Sequence, residues 1–237
     1  MKTMKLCDLH THVLPGVDDG APTMEYALEM LRNAAASDVV VLALTPHCDG
    51  KQRLDLQDRF LKLQLAAKDI PVELVLGAEV RVTERLPEYL KEGKLPTING
   101  SRYLLTEFPP DTPAEAFCPM LQNILDLGYV PLVAHPERYK AVCEIPQLVV
   151  SWLDMGCHLQ LTGGSILGDY GKTVQRAAGF LLRNDLVACV ASDAHGLHRR
   201  SNYLMDVYSH LSVHYSRQYA NCLMYDNPMR ICRDEML

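Results

Sequence analysis

The sequence predicts an α/β fold, a distorted (β/α)7 TIM-like barrel filling one domain over residues 1–237, on three observations. Short apolar runs rich in β-branched residues alternate with longer amphipathic ones along the whole chain. The short runs are nearly continuous in apolar residues, the pattern of parallel strands covered by helices rather than of a half-solvated sheet. No Pro/Ser-rich linker, composition shift or repeat divides the 237 residues, a length that suits one large core. A doubly wound open sheet is the alternative architecture.

The strands expected are 4–10 (MKLCDLH), 39–47 (VVVLALTPH), 72–80 (VELVLGAEV), 102–108 (RYLLTEF), 130–136 (VPLVAHP), 158–164 (HLQLTGG) and 186–195 (LVACVASDAH). Seven units, one short of the usual eight, are why the barrel is expected to be distorted. The first helix follows Pro22 and Thr23, a good N-cap, and spaces Met24, Leu28, Leu31 and Ala35 at three- and four-residue steps. Further helices are read at 53–69, 113–128, 145–156 and 170–185, with a shorter one at 86–93. Several stop at Gly or Asn-Asp, as C-caps do. The tail beyond Arg199 reads as closing helices, the last ended by Asn227-Pro228.

Composition narrows the function. Apolar residues make up 48% and charged residues 22%, as in an ordinary globular protein. A formal charge of -6 argues against a broad nucleic-acid or anionic-membrane footprint. The start lacks the apolar core of a signal peptide and no run is long enough to span a bilayer, so a cytoplasmic location without membrane insertion is expected. Eight cysteines are scattered without a C-x-x-C pair, several of them inside apolar strand-like runs, and read as reduced thiols acting as small hydrophobes.

Nearly every expected strand ends in a residue type that binds metals: His10 and His12, His47, Glu79, Glu107, His135, then Asp193 and His195; only the sixth strand lacks one. The C-terminal ends of barrel strands converge on one face, where active sites lie. Taken singly, His47 or His135 reads as a hydrogen-bonded loop histidine, Glu79 or Glu107 as a first-turn acid, and Asp193 as a turn cap. Together, five of the nine histidines fall at strand ends. Residues i and i+2 of an extended chain share a side, so His10/His12 and Asp193/His195 each present two donors inward. Imidazole and carboxylate without thiolate suit Zn, Mn or Fe. With Asp18 or Asp19 added, the donors outnumber what one ion takes, so two or three ions are expected, bridged by a carboxylate such as Glu79.

Closely spaced divalent ions suit phosphoester hydrolysis, and Arg138 in HPERY with Arg199 and Arg200 in DAHGLHRR offer phosphate-matching guanidiniums. Gly163 and Gly164 allow the backbone to approach a ligand, or simply serve a tight strand–helix turn. No cysteine carries the downstream arginine of a thiol phosphatase, and there is neither a G-x-S-x-G elbow nor a phosphate-binding P-loop.

DLHTHVLPGVDDG, TPH at 45–47, GAEVR at 77–81, LTEFP at 105–109, AHPERY at 134–139, QLTGGSILG at 160–168 and ASDAHG at 191–196 resemble, in order and spacing, the PHP (polymerase and histidinol phosphatase) superfamily. More narrowly they resemble its bacterial tyrosine-protein phosphatases of capsular and exopolysaccharide loci. The resemblance implies three divalent ions, manganese or iron in use with zinc as an alternative. It implies His10, His12, Glu79 and Asp193 around the first ion, Glu79, Glu107 and His135 around the second, and Asp19, His47 and His195 around the third. It chooses Asp19 over Asp18, gives Arg138 and Arg200 the phosphate, and makes the substrate a phosphotyrosine cluster on the tail of a polysaccharide-copolymerase tyrosine kinase. Glu107 favours this narrower group, since many other members place a histidine there. Cys7, beside the first histidines in sequence, marks an oxidation-sensitive position. A small-molecule phosphatase acting on histidinol phosphate or a sugar phosphate, and a non-catalytic metal-stabilised scaffold, stay open, as does homo-oligomerisation.

Overall fold

The computed structural model describes residues 4–48, 56–93 and 95–237. Its elements alternate as expected: β1 (Leu6–Thr11), α1 (Met24–Ala36), β2 (Val39–Leu44), β3 (His47–Cys48), α2 (Leu56–Ala66), β4 (Glu73–Leu76), β5 (Glu79–Arg81), α3 (Leu86–Lys91), β6 (Tyr103–Glu107), α4 (Ala114–Leu125) and β7 (Val130–Ala134). They continue with α5 (Lys140–Glu144), α6 (Val149–Asp154), β8 (His158–Thr162), α7 (Gly163–Leu167), α8 (Lys172–Arg183), β9 (Cys189–Ala191), α9 (Met205–His214), α10 (Arg217–Asn221) and α11 (Asn227–Cys232). The helix expected at 53–69 begins partly outside the described residues.

Among the described residues every strand pairing is parallel, in two sheets ordered β1-β2-β4 and β3-β5-β6-β7-β8-β9. The second and third expected strands are each cut in two. Pro46 has no amide to donate, and Gly77 sits where a Cβ would come within 3.1 Å of Thr45. Two hydrogen bonds, Gly77 N to Leu44 O and Glu79 N to Pro46 O, carry the chain across the break. The ring closes where Asp193 N donates to His10 O and His12 N to Ala194 O. The result is a seven-unit distorted barrel rather than an open doubly wound sheet.

Two apolar layers follow from strand alternation. Cys7, Leu9, Val41, Leu105 and Leu132 fill the barrel interior, whereas Leu42, Leu104, Val133 and Leu161 face the surrounding helices. Ile231 and Cys232 of α11 join the interior cluster near the strand starts, sealing the end away from the histidines. The tail differs from expectation at Asn227-Pro228. Asn227 N donates to Cys222 O, a π-type turn over Cys222–Asp226, and Pro228 then stands in the first turn of α11, where no amide donor is needed. Thr23 caps α1 through its hydroxyl, but the buried stripe is Ala27, Met30, Leu31 and Ala34. Small alanines let α1 sit close to the strands, so the stripe lies beside the one read from the larger Met24 and Leu28. Among the described residues no helix is long and apolar enough to cross a membrane.

Candidate metal centre

His10 sits at the end of β1 with no exposed surface. Its Nδ1 is 2.8 Å from Gln160 Oε1, while the Gln160 amide group donates to Leu161 O at 2.7 Å. That amide orientation leaves only an oxygen facing Nδ1, so the proton belongs on Nδ1 and the Nε2 lone pair faces the rim. His12 follows the same rule from the other side: Nδ1 lies 2.7 Å from Asp18 Oδ2, a pure acceptor. The two Nε2 atoms come within 3.3 Å of each other, at 3.2 and 3.3 Å from Glu79 Oε2.

The other strand ends complete the cluster. His47 Nδ1 is 3.0 Å from Glu79 Oε2, and His135 Nε2 is 2.9 Å from Glu79 Oε1 and 4.0 Å from Glu107 Oε1. Asp19 Oδ1 lies 3.6 Å from His47 Nε2 and 3.3 Å from His195 Nε2. His195 Nδ1 faces the Asp193 carbonyl at 3.0 Å, which turns its Nε2 outward. Donor atoms of His12, Asp19, His47 and His195 fall within 4.8 Å of one another, as do those of His10, His12 and Glu79, and those of His47, Glu79 and Glu107. Asp193 Oδ1 joins the first histidines at 3.4 and 3.5 Å. All nine donors singled out in the sequence thus meet on one rim.

Electrostatics prepare these donors for cations. Burial works against charge on Glu79 and Asp193, but His10 and His12 outweigh it and hold both carboxyls well below the usual range. Burial likewise opposes charge on His10 and His12, yet the facing carboxylates raise both imidazoles, so a metal ion there competes with a proton. His195 is pushed down to about 4 by burial, by His12 and by Arg200, and is neutral at pH 7. The buried Glu79 Oε2, Glu107 Oε2 and His195 Nε2 make no well-directed hydrogen bond within the protein, although ring nitrogens crowd Glu79 Oε2 at 3.0–3.3 Å. Orphaned acceptors in a buried histidine–carboxylate cluster are what divalent cations satisfy, and the donor set fits them.

Both arginines converge on Asp193. Arg138 Nη1 donates to Oδ2 at 2.6 Å, and Arg200 Nη2 donates to both carboxylate oxygens at 2.8 Å. The rim is also strained: His135, Asp193 and Arg200 hold φ of 37, 54 and 52°, left-handed values that cost non-glycine residues about 1 kcal/mol or more each. Such conformations persist where the surrounding packing dictates them.

Several supporting residues escaped the motif reading. Gln160, on the strand without a metal-binding residue, orients His10. Asp18 Oδ2 accepts from His47 N at 2.9 Å and Oδ1 from Gly20 N at 3.0 Å, so the acid beside Asp19 builds the loop. Asp8, pushed up to about 6 by burial, accepts from Ser192 N and fixes the Asp193 loop. Glu137 is fully buried and accepts from Thr162 N at 3.0 Å, tying the β7 turn to β8. Gln160 and Asp8 carry a signal, a polar residue inside an apolar strand run; Asp18 and Glu137 lie in polar turns and carry none. Gly163 and Gly164 leave no room for a side chain, since a Cβ would meet Val207 at 2.7 Å and Asp169 at 2.9 Å, and both also line a cavity beside Arg200. Cys7 lies inside the barrel and burial pushes its thiol up, so it is not an oxidation-prone neighbour of the histidines. All eight cysteines are free thiols.

The fold and donor set define a class, βα barrels that gather histidines and carboxylates at the strand ends. Within it, a profile of capsular polysaccharide synthesis proteins, CpsB/CapC, matches residues 6–233, and the chain belongs to that family. It is 32% identical to the tyrosine-protein phosphatase CpsB of Streptococcus pneumoniae over 98% of this chain and 100% of that one. It is 30% identical to a putative tyrosine-protein phosphatase CapC of Staphylococcus aureus over 86% of this chain and 82% of that one. A chain from the crystal structures of YwqE of Bacillus subtilis and CpsB of Streptococcus pneumoniae, described as metal-dependent tyrosine phosphatases, superposes with a TM-score of 0.90. Its identity is 27%, and the match covers 98% of this chain and 96% of that chain.

Proposed function

We propose that this chain is a metal-dependent protein-tyrosine phosphatase that hydrolyses phosphotyrosine on the tail of a polysaccharide-copolymerase tyrosine kinase, with residues 1–237 acting as one catalytic unit. The observation that carries the reading is the placing of two guanidiniums, from Arg138 and Arg200, against the same buried carboxylate that borders the histidine cluster. Family membership and the named phosphatases among the relatives support the same chemistry.

In this reading three manganese or iron ions, with zinc as the alternative, are held by His10, His12, Glu79 and Asp193, by Glu79, Glu107 and His135, and by Asp19, His47 and His195. When bound, such ions activate water and neutralise phosphoryl charge. The protein's own groups do the rest. Gln160 and Asp18 keep the Nδ1 protons on His10 and His12, so each Nε2 stays a donor toward the rim. Arg138 and Arg200 are part-exposed and Asp193 is not, so an arriving phosphate can take up their outward N–H groups while Asp193 keeps them aligned. A tyrosyl oxygen leaves as a phenolate with pKa near 10, far more stable than an alkoxide, so the site does not depend on a strong general acid. Neutral His195 is suited to ligation rather than to proton donation at pH 7.

Elemental analysis of protein purified without chelator, followed by assays on p-nitrophenyl phosphate, a phosphotyrosine peptide and histidinol phosphate, tests the reading. Turnover of the peptide with added manganese, lost in chelator, is expected. His135→Ala should lose both metal and turnover, and full activity with unchanged metal content in that variant would sink the proposal.

A further inference from the structure

The sixth strand, β8, brings no metal-binding residue to the rim, but the loop that follows its short helix α7 brings an aromatic one. Tyr170 is half-buried, and Arg138 Cζ stands 4.9 Å from its ring centroid, a cation–π distance. The same ring borders a cavity of about 810 Å³ that also reaches Arg200 and Ser192, the residue before Asp193. Leu167, Tyr203 and Leu204 continue its lining away from the rim. Tyr170 therefore stands between the arginine pair and a recess of mixed lining, whose aromatic and apolar part is Leu167, Tyr203 and Leu204 and whose polar part includes Asp169 and Ser201.

A phosphate held by both guanidiniums must extend its ester group past whatever covers them. A phenyl ester group reaches a neighbouring ring, whereas a serine-derived methylene does not. We propose that Tyr170 determines the preference of this site for aryl over alkyl phosphoesters, its ring packing against the phenyl ring of the substrate at the mouth of the cavity. The proposal rests on the phosphatase reading above and deepens it. Tyr170 touches the ester group, not the reacting phosphorus, and its effect falls on discrimination between substrates. Ring pairs in offset or edge contact contribute enough to favour an aryl ligand by about five- to tenfold.

Two non-hydrolysable ligands separate this role from simple support of Arg138. Phenylphosphonate and methylphosphonate are titrated calorimetrically into the manganese-loaded full chain. The wild type should bind phenylphosphonate about five- to tenfold more tightly. Tyr170→Ala should bring the two near parity by weakening phenylphosphonate alone, and Tyr170→Phe should restore the preference. In turnover, Tyr170→Ala should raise KM for a phosphotyrosine peptide with little change in kcat and leave a phosphoserine peptide unaffected. A phenyl preference that survives Tyr170→Ala, or an equal loss for both phosphonates, overturns this inference alone. Failure of the wild type to bind either ligand overturns the phosphate site itself, and this inference with it.

Discussion

Gln160 shows how a residue that carries no charge fixes a charged site. Its carbonyl oxygen sets the His10 proton on Nδ1, and its amide is itself committed to Leu161 O. Partners of this kind cost about 10- to 100-fold in metal affinity or activity when removed. Gln160→Ala should lose manganese affinity in that range without unfolding, as a metal titration followed by circular dichroism would show; unchanged affinity would remove Gln160 from the site. The ligand types themselves were legible in the sequence, because each strand delivers its last residues to the same face. The division of labour between Asp18 and Asp19 was not, since adjacent acids differ only in the path of the loop. Away from the rim, His158 at the start of β8 is part-buried beside Tyr103, and burial lowers its pKa below the ordinary value near 6.5. The unfolded chain then binds the extra proton, so this group's contribution to stability is present above about pH 6.5 and is lost as pH falls through its folded pKa. His158→Gln should flatten the fall in urea midpoint between about pH 7 and 5; parallel slopes in both proteins would refute the assignment.

Among elements, the β1–α1 segment carries the most function for its length. His12 N donates to Ala194 O, and Ala21 N donates back to His12 O, so the loop folds over its own histidine. Gly20 makes that return fit: a Cβ there would lie 1.9 Å from His12 O and 2.5 Å from His12 Cβ. No side-chain rotation relieves a clash with backbone, so Gly20→Ala must shift the loop that holds Asp18 and Asp19. A stability loss of about 1–3 kcal/mol is expected, together with weakened metal binding. Gly163→Ala provides the contrast, because its nearest neighbour is the Val207 side chain on α9. A similar loss of about 1–3 kcal/mol is expected there, and it should be largely relieved by Val207→Ala in a double-mutant cycle. Sequence patterning put Gly163 and Gly164 at the end of the expected 158–164 strand, missed the short helix α7 that they begin, and left their purpose open between ligand approach and a tight turn. The contact with α9 makes Gly163 a packing position, and no local pattern encodes a contact between residues more than forty positions apart.

At the scale of the whole molecule, the barrel has one chemical end and one structural end. Strand alternation made the barrel legible, since near-continuous apolar runs need cover on both faces. The breaks at Pro46 and Gly77 were less so, because each lies inside a run that reads as one strand. The plug was hidden further: Ile231 and Cys232 lie beyond Asn227-Pro228, where the closing helices were expected to end, and only the barrel interior supplies their partners, Cys7 and Cys189 among them. The plug is tied down by Asn99 Nδ2 donating to Cys232 O at 3.0 Å and Tyr103 Oη donating to Glu235 O at 2.7 Å. Burying Ile231 at the strand starts places it far along the strands from the histidines at their ends. Ile231→Ala should therefore cost about 2–5 kcal/mol, the usual range for emptying a packed aliphatic site. For a chain of this size that lowers the melting midpoint by about 5–15 °C. Metal content and kcat measured well below the new midpoint should match the wild type. If metal is lost while the far-ultraviolet circular dichroism stays native, the plug and the rim are coupled, and the barrel does not insulate one end from the other.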